Sequence, residues 1–276
     1  MSPIQQLLLG TGAASGSSDG PYVEDDLVFH LDPANTNCYS GSGTTVNSLV
    51  NSHTSEHFGD ITWSSDSGGT TGGYFEYDGT QDTGLQFPYS TDFEFTKHGS
   101  TDIDDYSWEL WWYGDDELPR TGNLIEAYIY FAKVSTTGRM TGSGGLYASN
   151  EGAYMIYRVV LGNAGETNGT VYHKNGSPGS LQKFDEVSWT GSKWQHYVFV
   201  KDSTSWTMYV DGSSLSSFTR SYLHFSNTSK KLLISGRFGS FKASIRLGVM
   251  RFYQGKALTA TEVEQNYDAE RSRYGH

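Results

Sequence analysis

The chain has one cysteine and six prolines in 276 residues, no long hydrophobic run, and far fewer basic than acidic side chains. Each shortage excludes something. A lone Cys38 builds no disulfide framework, so stability has to come from packing, and no histidine is patterned nearby to activate that thiol as a nucleophile. No stretch approaches the roughly 18 apolar residues of a membrane-spanning helix. The opening MSPIQQLLLG has no Lys or Arg ahead of Leu7–Leu9, and that run is far shorter than the roughly 7–15 apolar residues of a secretory signal. With 19 Lys and Arg against 31 Asp and Glu, the formal net charge is −12. A field of that sign opposes contact with phosphate backbones and sets nucleic acid aside as a partner. Leu, Ile and Met are sparse, and no coiled-coil heptads mark an oligomer.

What the chain has instead is rings and glycines: 19 Tyr, 14 Phe, 7 Trp and 33 Gly. Aromatic side chains each bury a large area, so they can build the core that aliphatics do not supply. Abundant glycine with little proline suits many tight turns between strands. From Asp26 onward the pattern is strand and turn. DLVFHLDP puts Leu27, Phe29 and Leu31 on one face before Pro33 ends the run. GGYFEYDGTQD is a strand entering an Asp-Gly turn, and TGLQFPY resumes with Leu85 and Phe87 in phase. In DYSWELWWYGDD, Tyr106, Trp108, Leu110 and Trp112 share one face. Ser107, Glu109, Trp111 and Tyr113 take the other, which is aromatic enough to need cover. NLIEAYIYFAKV and GAYMIYRVVLG are further strands.

KWQHYVFVKDSTSWTMYVDGSSL predicts a hairpin. Trp194, His196, Val198 and Val200 lie on one face, KDSTS forms the turn, and Trp206, Met208 and Val210 run into a second turn at Asp211-Gly212. SKKLLISGRF and SIRLGVMRFYQG add two strands. Only at the end does the period change. Thr259 as N-cap with Glu262 three residues on forms a capping box, and Val263 and Tyr267 sit one turn apart. This predicts a helix over about 259–272, with Gly275 beyond it. No fixed-period repeat is present, so the economical architecture is an all-β sandwich. Residues 21–276 form that domain, preceded at 1–20 by an arm and a Gly/Ser linker.

The hairpin WQHYVFVKDSTSWTMYVDG resembles the W-x-H…W-x-x-YVDG core of laminin-G-like, concanavalin A-like jelly rolls. YFEYDGTQD is similar to their FDG-x-D turn, and YSWELWWY to their Trp-bearing strand. IRLGVMRFYQGKALTATEVEQNYDAERSRYG resembles their C-terminal ending, with Lys256 where the family has Arg. The NYDAERSRYG tail looks most like versions carried by structural proteins of tailed, particularly marine, bacteriophages, and the opening resembles the first residues of phage virion proteins. The resemblance covers residues 26–276, is most specific at the C-terminus, and is least diagnostic over 114–185.

The resemblance implies a two-sheet antiparallel jelly-roll sandwich of concanavalin A-like type, with a short C-terminal helix and an extended N-terminal arm. It also implies a non-enzymatic virion protein, a capsid decoration, tail or fibre component assembled in the host cytoplasm. Such a protein would form homo-oligomers and adhere to host-surface glycans. The alternative is a secreted carbohydrate-active protein, either a glycan-binding module or a glycoside hydrolase.

A hydrolase needs two carboxylates flanking the scissile bond, which retaining glucanases of this fold set in an E-x-D-x-x-E pattern. The nearest match is Glu76-Tyr77-Asp78-Gly79-Thr80-Gln81, where Gln81 has no acid–base chemistry and Asp78-Gly79 fits a turn. No catalytic residue is therefore expected. His196, between Trp194 and Val198, reads as a core histidine. His30, His53, His57, His98, His173 and His224 lack zinc-ligand spacing. No cofactor is required, and calcium is the one ion left open. Asp78, Asp82 and Asp211 match the family's DG-x-D and VDG turns, although turn chemistry alone also favours Asp before Gly. Trp63, Tyr89 and Tyr222, in loop-like segments, are the candidate rings for stacking on a sugar, with burial at an interface or in the core as the other reading. Ile4, Leu7 and Leu8, followed by Leu9, fall at helical spacing, in a segment too short to be stable alone. The Gly/Ser stretch behind it reaches roughly 20 Å. Residues 1–10 are thus expected to dock onto another virion protein or a sister subunit, a functionless end being the alternative.

Overall fold

The computed structural model describes residues 21–58, 61–65, 73–77, 84–88, 90–93, 105–114, 125–134, 153–161, 168–174, 181–188, 193–219, 231–235, 237–238, 241–242 and 245–276. The first six strands are β1 (Leu27–Leu31), β2 (Thr45–Asn47), β3 (Thr54–Phe58), β4 (Ile61–Ser64), β5 (Tyr74–Tyr77) and β6 (Gly84–Phe87). The next six are β7 (Tyr106–Gly114), β8 (Ile125–Val134), β9 (Ala153–Leu161), β10 (Asn168–Lys174), β11 (Leu181–Ser188) and β12 (Trp194–Asp202). The last six are β13 (Ser205–Val210), β14 (Ser213–Thr219), β15 (Lys231–Ser235), β16 (Arg237–Phe238), β17 (Phe241–Lys242) and β18 (Ile245–Gln254). Helix α1 (Ala260–Glu270) and a 3-10 turn, Arg271–Tyr274, close the chain.

Two antiparallel sheets face each other. The first has the order β14-β13-β12-β7-β18-β5-β4, with β1 pairing the C-terminal half of β18 and β5 its N-terminal half. The second has the order β11-β10-β9-β8-β15-β6-β3-β2, and β16 and β17 form a small ribbon. Because β7 lies between β12 and β18, and β6 between β3 and β15, the chain crosses repeatedly from sheet to sheet. The result is an antiparallel jelly-roll sandwich with one short C-terminal helix.

Rings fill the space between the sheets, as the composition requires. Tyr106, Trp108, Leu110 and Trp112 of β7 point inward with Tyr197 and Phe199 of β12, and meet Val46, Leu85, Phe87, Leu232 and Ile234 of the second sheet. Trp108 stacks on Phe199 with centroids 4.3 Å apart, and Phe29 meets Phe87 edge-on at 5.0 Å. The opposite face of β7 is buried as well, at Ser107, Glu109 and Trp111. Its cover is the C-terminus. Val263 and Leu258 pack on Val198, Val200 and Tyr253, while Tyr274 lies 4.4 Å from Trp111 and 4.6 Å from Trp194. The capping box is formed: Glu262 N donates to Thr259 Oγ1 at 3.2 Å, and Thr259 N donates to Glu262 Oε2 at 2.8 Å. Gly275 ends the last turn at φ 80°, the left-handed conformation glycine tolerates.

Register moves three residues from their expected places. The β1–β18 pairing shifts between Leu27 and Phe29, so Leu27 turns to the helix side while Phe29 and Leu31 stay inside. Lys201 belongs to β12 and is buried, because the hairpin turn contracts to Ser203-Thr204. Trp63 lies on edge strand β4 rather than in a loop.

β18 also carries a bulge. Leu247 pairs with Trp112 and Met250 with Leu110, so two residues of β18 oppose Trp111 alone. Both Leu247 and Met250 thereby face the core, while Val249 joins Trp111 under the cover. The backbone N–H of Val249 donates to Tyr274 Oη at 2.8 Å. A Cβ on Gly248 would fall 2.2 Å from that oxygen. Gly248→Ala is therefore expected to lift Tyr274 off the sheet and to cost about 1–3 kcal/mol, the scale of overpacking. Denaturant unfolding would measure it, and an unchanged midpoint would contradict the account.

Candidate functional site

Beneath the cover lies a line of buried charge. Arg251 of β18 donates through Nη1 to Glu109 Oε1 of β7 at 2.6 Å and through Nη2 to Glu270 of α1. Arg273 donates to the other oxygen of Glu270 at 3.3 Å and to Asp32 Oδ1 at 2.6 Å. Charge thus alternates from Glu109 through Arg251, Glu270 and Arg273 to Asp32. Neutral groups complete the set. Asn266 Nδ2 donates to Glu109 Oε2 at 2.7 Å and to Tyr253 Oη at 2.9 Å. Tyr253 donates in turn to Val23 O at 3.0 Å, and Val23 N donates to Asn266 Oδ1 at 2.8 Å. The Tyr22 ring lies 4.0 Å from the Arg251 guanidinium. The N-terminal strap at 21–24, the helix, strands β7 and β18 and the residue after β1 are tied at one place.

The electrostatics follow from these neighbours. Burial alone would raise Glu109, but the Arg251 guanidinium, with His196 adding to it, outweighs that and holds the carboxyl at about 2. Asp32 is likewise depressed, with Arg273 overcoming its burial. His30 is pushed down to about 3, first by burial and then by Arg251. His196 packs against both Trp111 and Tyr267, with Nε2 3.5 Å from Glu109 Oε2. Its ring nitrogens and those of His30 have no hydrogen-bond partner among the described residues. A general acid needs a raised pKa and access to substrate. Glu109 has the reverse of both, so this arrangement locks the cover in place.

The His30 and Glu109 shifts act in one direction with pH. The unfolded chain protonates His30 near 6.5 and Glu109 near 4.5, whereas the folded chain holds off to about 3 and about 2. The unfolded state therefore binds more protons, and stability falls as pH falls through both windows. Denaturant titrations between about pH 7 and about pH 3 should show that decline. His30→Gln should flatten the part below about pH 6.5, and an unaltered slope would refute the assignment.

The residues expected from sequence fare differently. Trp63 is half-buried; its Nε1–H donates to Pro33 O at 2.9 Å, and the ring lies 5.8 Å from Tyr39 and against Gly41. It is a fixed ring at a sheet edge. Asp211 and Gly212 both take positive φ, 47° and 77°, in the turn to β14. Asp211 Oδ1 accepts the His196 N–H at 2.9 Å, while Oδ2 lies 3.9 Å from Lys193 Nζ. That carboxylate is held in turn chemistry, and among the described residues no group of three or more His, Cys, Asp or Glu is placed to hold a metal. Glu76 lies 3.5 Å from Arg246. Cys38 is fully buried, and burial pushes its thiol up to about 12, so it is no nucleophile. Tyr89, Tyr222, Asp78, Asp82, Ile4, Leu7, Leu8 and Leu9 lie outside the described residues.

A family model for the concanavalin A-like lectin/glucanases superfamily matches residues 90–264. The chain belongs to that superfamily. No curated protein sequence matches it. Among solved structures, the binding domain of Paraclostridial Mosquitocidal Protein 1 is 16% identical with a TM-score of 0.58, over 88% of this chain and 52% of that one. The binding domain of Botulinum Neurotoxin DC in complex with SialylT is 11% identical with a TM-score of 0.59, over 89% and 52%. The same toxin's binding domain in complex with rat synaptotagmin II gives 11% and 0.58, over 89% and 52%. This superfamily member thus spans about half the length of those domains, and at such identity the likeness is one of fold. Membership supplies the jelly roll, while the covered sheet face is built by this chain's own side chains.

Proposed function

We propose that the chain is a non-enzymatic, lectin-like component of a tailed-phage virion that adheres to host-surface glycans. In this reading residues 21–276 are the displayed domain and residues 1–20 an attachment arm, with Ile4, Leu7, Leu8 and Leu9 seated on another virion protein or a sister subunit in a homo-oligomer. The observation that carries it is Glu109. A hydrolase of this fold needs paired, accessible carboxylates on an open sheet face, and here the central strand's carboxylate is sealed under the helix and neutralised by Arg251. The fold neighbours support adhesion: one is a toxin binding domain in complex with SialylT, and another concerns cell entry dependent on two ganglioside molecules. The strap supports the arm, because Gln265 Nε2 donates to Pro21 O at 2.7 Å and so fixes where residues 1–20 join the domain.

Deleting residues 1–12 is expected to leave the domain folded and to abolish incorporation into the particle, measured by mass spectrometry of purified virions; full incorporation would overturn the arm. The intact protein is expected to bind host-surface glycans on an array without releasing reducing sugar, and hydrolysis would return the chain to the carbohydrate-active alternative. Calcium at the Asp78, Asp82 and Asp211 turns is part of the same proposal. Its addition to metal-free protein raises Tm if the ion binds, and an unchanged Tm removes it.

A further inference from the structure

We propose that the outer face of the first sheet, just beyond the C-terminal cover, holds a saccharide site built from Arg246, Glu76, Tyr113 and Thr62. The ligand class is a neutral sugar presenting two adjacent hydroxyl groups. This rests on the lectin-like reading and gives it a place on the molecule.

Four consecutive pairings set these residues in one row across the sheet. Thr62 of β4 pairs with Glu76 of β5, Glu76 with Arg246 of β18, Arg246 with Tyr113 of β7, and Tyr113 with Trp194 of β12. Burial falls along it: Trp194 is buried, Tyr113 is half-buried, the Arg246 and Glu76 side chains are 25% and 32% exposed, and Thr62 is exposed. The row emerges from beneath the cover, whose last residues abut its inner end: Tyr274 lies against Trp194, and the His276 ring nitrogen is 2.8 Å from Trp194 O.

Among the described residues the hydrogen-bonding capacity of the Arg246 and Glu76 side chains is unspent. The Arg246 guanidinium lies over the Tyr113 ring at 4.7 Å and the Tyr74 ring at 5.2 Å, so aromatic faces hold it in place. Its Nε is 3.5 Å from Glu76 Oε1, too far for a proper hydrogen bond. Among the described residues neither side chain has a hydrogen bond. The buried Trp194 N–H, at the inner end, has no acceptor there either. A fixed donor fork beside a carboxylate that accepts no hydrogen bond among the described residues suits adjacent sugar hydroxyls, each of which gives and takes a hydrogen bond, while the neighbouring rings offer apolar contact to the C–H face. The pair is neutral overall and sits on a chain of net charge −12, which disfavours phosphate and other anions. One carboxylate is too few for a hard cation.

The test uses the full chain on an immobilised panel of neutral and acidic oligosaccharides, with Kd values from calorimetry. Glu76→Gln and Arg246→Met should each weaken the neutral sugars that wild type binds by at least tenfold, while Glu76→Gln keeps the wild-type Tm. Should Arg246→Met fail to fold, Glu76→Gln decides alone. Affinity kept within twofold in Glu76→Gln overturns the site and leaves the lectin-like reading standing. Binding confined to acidic sugars, and insensitive to Glu76→Gln, overturns the hydroxyl-pair assignment. If wild type binds no sugar on the panel, the lectin-like reading falls with it.

Discussion

The contact between Arg251 and Glu109 is the constraint on which the remaining architecture leans. Taking either ion out of water alone would cost several kcal/mol, so each has to be met by a partner before the sheet's outer face can close. Arg251 is met twice, by Glu109 and by Glu270, and Glu270 is met again by Arg273, which reaches Asp32. A buried pair of this kind adds little net stability over a hydrophobic pair of equal volume. Its contribution is geometric. An apolar helix can slide on an apolar sheet, but a helix bearing Glu270 and Asn266 can satisfy Arg251 and Glu109 in only one seat. The N-terminal strap closes over the same point, through Tyr22 on the guanidinium and Val23 on Asn266.

This constraint explains why β7 is aromatic on both faces. A strand of a two-sheet sandwich ordinarily alternates between a dry side and a wet side. In β7 the inner side carries Trp108 and Trp112 into the core, and the outer side carries Trp111 into a stack with Tyr274, Tyr267 and His196. The bulge at Gly248 serves the same end, because it releases the Val249 N–H to Tyr274 at the spot where a regular strand would have kept it in the ladder. Charge network, ring stack and bulge all fix one element, the C-terminal cover.

Features encoded within a few residues were legible in the sequence. The alternation of WELWWY, the capping box at Thr259 and Glu262, the Asp211-Gly212 turn and the closing Gly275 each depend on local geometry. Features set by pairing across the sheet were not. Leu27 left its predicted face because the β1 register shifts, and Trp63 proved to be an edge-strand residue pinned to Pro33. Glu109 and Arg251 are 142 residues apart, so no spacing rule joins them. One signal was nevertheless available: each is a lone charge among apolar neighbours on a strand, ELWW and VMRFY, and a charge in such a place needs a partner of opposite sign. Gly248, inside a strand, was the corresponding mark of the bulge. The Arg246 row had no mark of its own, since its members come from four strands.

Anchorage and ligand capture would share one face of the first sheet in the proposed reading, which raises the question of whether they compete. The strap touches β18 at Arg251, whereas the row crosses it at Arg246. Five residues of strand separate the two, on the order of 15 Å, which exceeds the width of a single sugar ring. Between them stand Tyr274 and the last turn of the cover. In that reading an arm held at one end of the cover and a sugar bound beyond its other end would be sterically independent. Their common dependence is on the cover itself, which walls the row and clasps the strap through the same buried charges.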